Sequence, residues 1–243
     1  MTPENIAVHI ATKTISLLGE RRPLRIVDAF CGVGGNTIQY ALQENVYCVG
    51  VDNDETKAEY TRHNAKLYGC VEGKDFEVKH SDFFKVTGLG KVDAIFMSPP
   101  WGGPGYHLME SYALEHIYPD FDKIIEKAME FTKNLAIFIP RNTDIEDLLR
   151  RLSKYMPTVQ IEVEKVMVGE VCKALVVYTG VLGGESLEVS EEEPVPQTAS
   201  SKPKAMFCGV KRPRRNLYDL SAPDLLSLIR ATTQNKRLHS GLL

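Results

Sequence analysis

Leu24-Arg25-Ile26-Val27-Asp28-Ala29-Phe30-Cys31-Gly32-Val33-Gly34-Gly35-Asn36-Thr37 is the stretch whose reading decides the fold. Its first half is an apolar run closing on an acid, the pattern of a buried strand. Its second half is a glycine turn that leads into a helical pattern over 38–42. Strand, glycine turn and helix make the opening unit of a doubly wound α/β sheet, where ligands sit beyond the strands' carboxyl ends. Gly32 and Gly34 permit close backbone approach, but Thr37 replaces the third glycine of the dinucleotide fingerprint. A carboxylate just ahead of the loop, Asp28, repels a pyrophosphate and attracts an ammonium group. The pattern therefore favours S-adenosylmethionine over NAD.

Residues 46–51 are apolar and end in Asp52-Asn53-Asp54. An acid at the end of the second strand suits ribose hydroxyls, a geometry common to both cofactors. A helical stretch over 55–68 and a short strand over 76–79 precede Ser81-Asp82-Phe83. There an acid can accept from an adenine amino group, with Phe83 beside the ring. The competing reading is that Asp52 or Asp82 caps the following helix. Three acids ending three successive strands favour the site.

The fourth strand, over 92–97, runs into Ser98-Pro99-Pro100-Trp101-Gly102-Gly103-Pro104-Gly105-Tyr106. Prolines fix φ and remove N–H donors, so the carbonyls of Ser98 and Pro99 have little local competition. A flat loop of this kind suits an exocyclic amino group in the plane of a base, with the base against Trp101. An ordinary strand-to-loop turn is the alternative, and it leaves the single tryptophan of the chain unexplained. Tyr106 is placed to close over a base, whereas Tyr112 and Tyr118 read equally as local packing. His107 and His116 lack a carboxylate or cysteine at ligand spacing, so no metal is expected. Arg141 ends a strand on the ligand side, where its guanidinium fork suits phosphate; a salt bridge to Asp144 is its rival role.

The two long motifs, 28–37 and 98–104, closely resemble the trimethylguanosine synthases, which methylate N2 of the 7-methylguanosine cap of small nuclear and nucleolar RNAs. Thr2-Pro3-Glu4-Asn5-Ile6-Ala7 and Ile139-Pro140-Arg141-Asn142 match further motifs, and the resemblance covers roughly 2–180. It implies a class I S-adenosylmethionine-dependent methyltransferase: a Rossmann-like sheet, mostly parallel, with an antiparallel C-terminal hairpin. It implies a donor site including Thr2, Asp28, Asp52 and Asp82, and a cap site including Asn64, Ser98 and Trp101, with Arg141 near the cap phosphates. With the loop residues, the expected cofactor set is Thr2, Asp28, Cys31, Gly32, Gly34, Asn36, Thr37, Asp52, Asn53 and Asp82. The catalytic set is Ser98, Pro99 and Trp101, and the substrate set adds Asn64, Pro100, Tyr106 and Arg141. The family usually carries a helical extension before the Thr-Pro-Glu motif. The sequence begins at Met1-Thr2-Pro3, so that lobe is expected to be missing; either another segment takes its role, or the chain is a truncated form with weak activity.

The chain's 243 residues, 43% of them hydrophobic, are enough for one substantial α/β core. Five cysteines without a Cys-x-x-Cys pair read as reduced thiols, with Cys31 a packing residue rather than a nucleophile. The net charge of −3 means that affinity for RNA must come from local basic clusters. Thr2 and Pro3 read as the cap and first position of a helix with Ile6, Ile10 and Leu17 on one face; Thr143 and Glu146 read as a capping box. Residues 160–168 and 174–179 read as the terminal hairpin.

Three units are expected: a methyltransferase domain over 1–180, an acidic disordered linker over 181–201, and a basic tail over 202–243. Lys202, Lys204, Lys211, Arg212, Arg214 and Arg215 read either as a solvated tail or as a nuclear-import or RNA patch, with ribonucleoprotein proteins as partners. A short helix over 221–229 is a candidate to pack back on the domain. The expected location is the nucleus or nucleolus, with the cytoplasm as a second compartment. The expected activity is N2 methylation of a 7-methylguanosine cap. Two other readings stay open: an adenine-amino nucleic-acid methyltransferase, and a cap-binding module without activity.

Overall fold

A computed structural model describes residues 2–19, 23–103, 105, 109–168 and 170–184. Tyr106 and His107, most of the expected linker, the basic tail and the helix over 221–229 lie outside the described residues. The elements, in order, are α1 (Glu4–Leu18), β1 (Leu24–Asp28), α2 (Gly35–Ala41), β2 (Val46–Asp52), α3 (Glu55–Leu67) and β3 (Phe76–His80). They continue with β4 (Ala94–Met97), α4 (Phe121–Met129), β5 (Leu135–Pro140), α5 (Ile145–Tyr155), β6 (Ile161–Val168) and β7 (Val171–Thr179).

The seven strands form one sheet in the order β3-β2-β1-β4-β5-β7-β6. Pairings from β3 through β5 are parallel, and β7 runs antiparallel to both β5 and β6. The expected doubly wound sheet with an antiparallel hairpin is therefore present. Central strands such as Leu135–Pro140 are buried along their whole length, as strands covered on both faces must be. Ile10, Tyr40 and Ala58 place α1, α2 and α3 on one face of the sheet with Ile26, Phe76 and Phe96. Ile124 and Leu148 place α4 and α5 on the other, with Ile95, Met97 and Ile137.

Three local expectations need correction. Helix α1 starts at Glu4 with Pro3 as the cap residue, whose carbonyl accepts from the amides of Ile6 and Ala7 at 3.0 Å. Its buried stripe runs through Ile6, Ala7, Ile10, Ala11, Thr14 and Ile15, which leaves Leu17 at the margin and 37% exposed. At α5 the cap is Asp144, whose carboxylate accepts from the amide of Asp147 at 3.0 Å. Thr143 instead donates to the Pro140 carbonyl at 2.8 Å, closing the turn after β5. Packing also continues beyond residue 180: Gly180–Gly183 form a 3-10 turn that buries Leu182, because its side chain joins the face under α1.

Candidate functional site

Strands β1 to β5 all point their carboxyl ends the same way, and the order reverses between β1 and β4. At that reversal the chain leaves room for a ligand. A cleft of about 380 Å³ lies there, bounded by the ends of β1, β2 and β4 and by the loop after β3.

The glycine loop between β1 and α2 forms its floor. The Cys31 amide donates to the Val51 carbonyl at 2.9 Å, which holds the loop onto β2. Gly34 caps α2 with φ of +94°, a left-handed conformation that favours glycine. Three side chains then tie down the loop backbone. Asp52 Oδ2 accepts from the Gly32 amide at 2.8 Å, Thr61 Oγ1 donates to the Gly32 carbonyl at 2.8 Å, and Asn64 Nδ2 donates to the Val33 carbonyl at 2.9 Å. Thr61 and Asn64 are one turn apart on α3, so both face the loop. Gly50 in β2 is needed for close approach: a Cβ there would lie 3.1 Å from Thr37 Oγ1 and 3.2 Å from Cys31 Sγ.

Asp28 is buried at the end of β1, and Thr37 Oγ1 donates to its Oδ2 at 2.8 Å. Its other oxygen, Oδ1, is buried without a hydrogen-bond partner. Burial pushes this carboxyl up from 3.8 to about 7; the Thr37 hydroxyl and nearby amides oppose the shift, and the Asp52 charge adds to it. Asn36 Nδ2 is likewise buried and unpartnered. Both residues line the cleft, so an unpartnered acceptor and an unpartnered donor lie in its wall. That pair is complementary to a zwitterionic amino-acid group, whose ammonium and carboxylate need the opposite partners.

Thr2, Asp28, Cys31, Gly32, Asn36, Asp52, Asn53 and Asp82 all line the cleft. Gly34 and Thr37 stand behind the first shell of lining residues, shaping the loop and holding Asp28. Capping accounts for Asp82, whose Oδ1 accepts from the Phe84 amide at 3.0 Å, although the residue also lines the cleft. It does not account for Asp52, because Asp54 caps α3. Burial and the Asp28 charge push the Cys31 thiol far up, so it packs and does not act as a thiolate.

On the other wall, Ser98 and Pro100 line the cleft, while Pro99 is buried beside them. Trp101 directly follows the cleft-lining Pro100. Its indole packs on Phe138 of β5, with ring centroids 5.2 Å apart and planes 32° apart, and Nε1 donates to the Phe138 carbonyl at 3.3 Å. It is half-buried and is not among the residues lining the cleft. Tyr112 is fully buried and donates to the Trp101 carbonyl at 3.2 Å, so it packs locally. Asn64 serves the glycine loop, and Arg141 is exposed at the end of β5 away from the cleft lining. The expected Arg141–Asp144 bridge is not formed among the described residues, because Asp144 is engaged as a helix cap.

Sequence reasoning missed Thr61 and Lys57, and it read Tyr118 equally as local packing, whereas the Tyr118-Pro119 pair lines the cleft. Tyr118 is 79% exposed yet lines the cleft, and its amide donates to the Pro100 carbonyl at 3.4 Å. The signal for Thr61 was available: a hydroxyl one turn before Asn64, on the helix that follows the second strand-end acid. No comparable signal marked Tyr118. Among the described residues no group of three metal-ligating side chains converges, and no helix is long and apolar enough to cross a membrane.

A sequence model of RNA cap guanine-N2 methyltransferases matches residues 24–182, from the first residue of β1 to the turn after β7. The chain belongs to the RNA cap guanine-N2 methyltransferase family. Among curated relatives, trimethylguanosine synthase of Schizosaccharomyces pombe is 36% identical over 155 residues, 61% of this chain and 62% of its own length. The Saccharomyces cerevisiae trimethylguanosine synthase is 36% identical over 163 residues, 64% of this chain and 50% of its own. The chain thus spans about half to three-fifths of the length of these relatives. A tRNA (guanine(10)-N2)-dimethyltransferase of Methanothermobacter thermautotrophicus is 32% identical over 147 residues, 60% of this chain and 42% of its own. Among solved structures, an S-adenosylmethionine-dependent O-methyltransferase of Thermotoga maritima superposes with a TM-score of 0.51 at 17% identity, covering 76% of this chain and 68% of that one. That likeness concerns the fold alone, and it is the class I methyltransferase fold.

Proposed function

We propose that this chain transfers methyl groups from S-adenosylmethionine to N2 of a 7-methylguanosine RNA cap, giving the 2,2,7-trimethylguanosine form. The observation that carries the reading is that Ser98 and Pro100 share one cleft with the unpartnered Asp28 Oδ1 and Asn36 Nδ2. Family membership supplies the reaction class. S-adenosylmethionine, when bound, supplies an electrophilic methyl carbon.

The residues present fit that donor. Asp28 Oδ1 takes the ammonium, Asn36 Nδ2 the carboxylate, Asp52 the ribose hydroxyls, and Asp82 with Phe83 the adenine. Asp52 retains lone pairs beyond those used by the Gly32 and Asp54 amides. The chain's task is then alignment. The guanine 2-amino lone pair is delocalised into the ring and nucleophilically weak, so the Ser98 and Pro99 carbonyls hold its protons and favour pyramidal nitrogen. Orientation of this kind is worth about 7–11 kcal/mol over a bimolecular reference. No general base is required, because the amine becomes acidic as it is methylated. The part-exposed Trp101 supplies the stacking face, and a cationic base adds up to about 2 kcal/mol to that stacking.

Mass spectrometry of 7-methyl-GTP incubated with the protein and S-adenosylmethionine tests the reading. One and then two added methyl groups are expected, with unmethylated GTP left unchanged. Equal turnover of GTP, or methylation of adenine in an oligonucleotide instead, overturns it. On this reading the substrates are small nuclear and nucleolar RNAs and the location is nuclear.

A further inference from the structure

We propose that RNA beyond the cap runs along the carboxyl edge of the sheet, its phosphates held by Arg141, Lys173 and Lys165 on β5, β7 and β6. The inference rests on the capped-RNA reading and adds the path of the polymer. Because β7 is antiparallel to both neighbours, β6 runs parallel to β5, and both end on the edge that carries the cleft. Pro140 pairs with Ala174, so Arg141 and Lys173 flank one register pair. Lys165 pairs with Leu175 on the next strand. Adjacent strands lie about 4.8 Å apart, so three cations on three strands cover a lateral span of about 10 Å.

All three side chains are exposed, and none forms an ion pair among the described residues. Most other cations are committed: Lys13 to Glu162 and Glu164, Arg25 to Glu77, Arg62 to Glu59 and Glu72, Arg151 to Asp122 and Asp147. The acids of β6 are neutralised on the opposite face, where Glu164 is buried against His9 and Lys13. Glu170 at the hairpin and Asp144 after β5, which caps α5, are the exposed acids nearest in sequence. Arg141 and Lys165 both lower the Cys172 thiol against the effect of its burial, so their fields overlap there. The carboxyl edge is therefore divided. Its β1–β3 half is acidic and suits a cationic donor, while its β5–β6 half is basic and suits a polyanion. With a net charge of −3, the chain needs such a local patch to hold RNA.

The test uses the full chain with Lys165→Gln and Lys173→Gln together, two exposed substitutions outside the cleft. Binding of a 7-methylguanosine-capped RNA oligonucleotide is measured against salt, beside turnover of 7-methyl-GTP. Each phosphate contact contributes roughly 0.7 to the slope of log affinity against log salt for a single strand. The double variant is expected to bind capped RNA roughly tenfold more weakly at low salt, with the slope smaller by about 1, and to turn over 7-methyl-GTP like the parent. Unchanged RNA affinity and slope overturn the path and assign the RNA to another surface, the basic tail included. An equal loss with both substrates also overturns it. Absence of turnover by the parent chain on either substrate overturns the function reading itself, and this one with it.

Discussion

Thr37 donates a 2.8 Å hydrogen bond to one oxygen of Asp28 and leaves the other oxygen buried with no partner. The threonine that replaces a fingerprint glycine thus orients the carboxylate that the donor site needs. On the proposed reading, these two positions jointly present an acceptor to an ammonium-bearing ligand.

The protonation of Asp28 makes donor binding pH-dependent. Its carboxyl ionises near 7 in the folded chain, against 3.8 ordinarily, so below about pH 7 it must lose a proton to pair with an ammonium. The donor dissociation constant is expected to rise toward tenfold per unit as pH falls below 7, and Asp28→Asn should bind weakly and without that slope. Calorimetric titration between pH 5.5 and 8 checks this, and a flat parent profile contradicts it. The same shift affects stability. The folded chain holds the proton more tightly, so this contribution is complete below 3.8 and is lost as pH rises through about 7. Without ligand, Asp28→Asn should therefore be more stable than the parent at pH 8, by up to about 4 kcal/mol.

Thr61→Val removes the donor that holds the Gly32 carbonyl. A lost hydrogen bond at a buried group costs about 1–3 kcal/mol, and here the cost falls on the geometry of the glycine loop. Donor affinity should drop roughly tenfold with little change in circular dichroism, and Thr61→Ser should restore most of it. Equal donor affinity in Thr61→Val would remove this residue from the site's support.

The single tryptophan makes cap binding directly visible. If Trp101 is the stacking face, 7-methyl-GTP should quench and shift its emission, and GTP should do so far less. Trp101→Ala should abolish turnover while donor affinity is retained. Saturation with 7-methyl-GTP without any change in emission would place the base elsewhere, and Tyr118→Ala would then be the variant to examine.

Glu164, with a side chain 7% exposed, is held by Lys13 and His9 of α1 at 2.9 Å. Lys13→Met strands much of that buried charge and should lower stability by about 2–3 kcal/mol, a melting shift of roughly 5–10 °C. Thr2 enters the cleft from the residue before the Pro3 cap, so donor affinity should fall as well. An unchanged melting temperature would show that the other partners of Glu164, His9 among them, compensate its charge.

Residues 24–42 were readable because each local signal agreed: an apolar run, an acid, glycines and a helical pattern. The strand-end acids were readable for the same reason, since parallel strands bring their carboxyl ends together. What could not be read depends on partners distant in the chain. Trp101 rests on a residue of β5, a strand that becomes its neighbour only after the sheet closes. The insertion of β7 between β5 and β6 is a choice of sheet edge that hairpin periodicity does not encode. Thr143 and Asp144 are both competent caps, and the turn after β5 decides between them by taking the threonine hydroxyl.

The contact between Trp101 and Phe138 also bears on selectivity under the proposed function. The indole already has an aromatic neighbour and a hydrogen-bond acceptor at rest. On that reading a neutral purine adds only dispersion to an indole already held by its neighbours. A base carrying positive charge adds electrostatic attraction to the ring face. The proposed site would thus rank a charged purine above ordinary guanosine nucleotides.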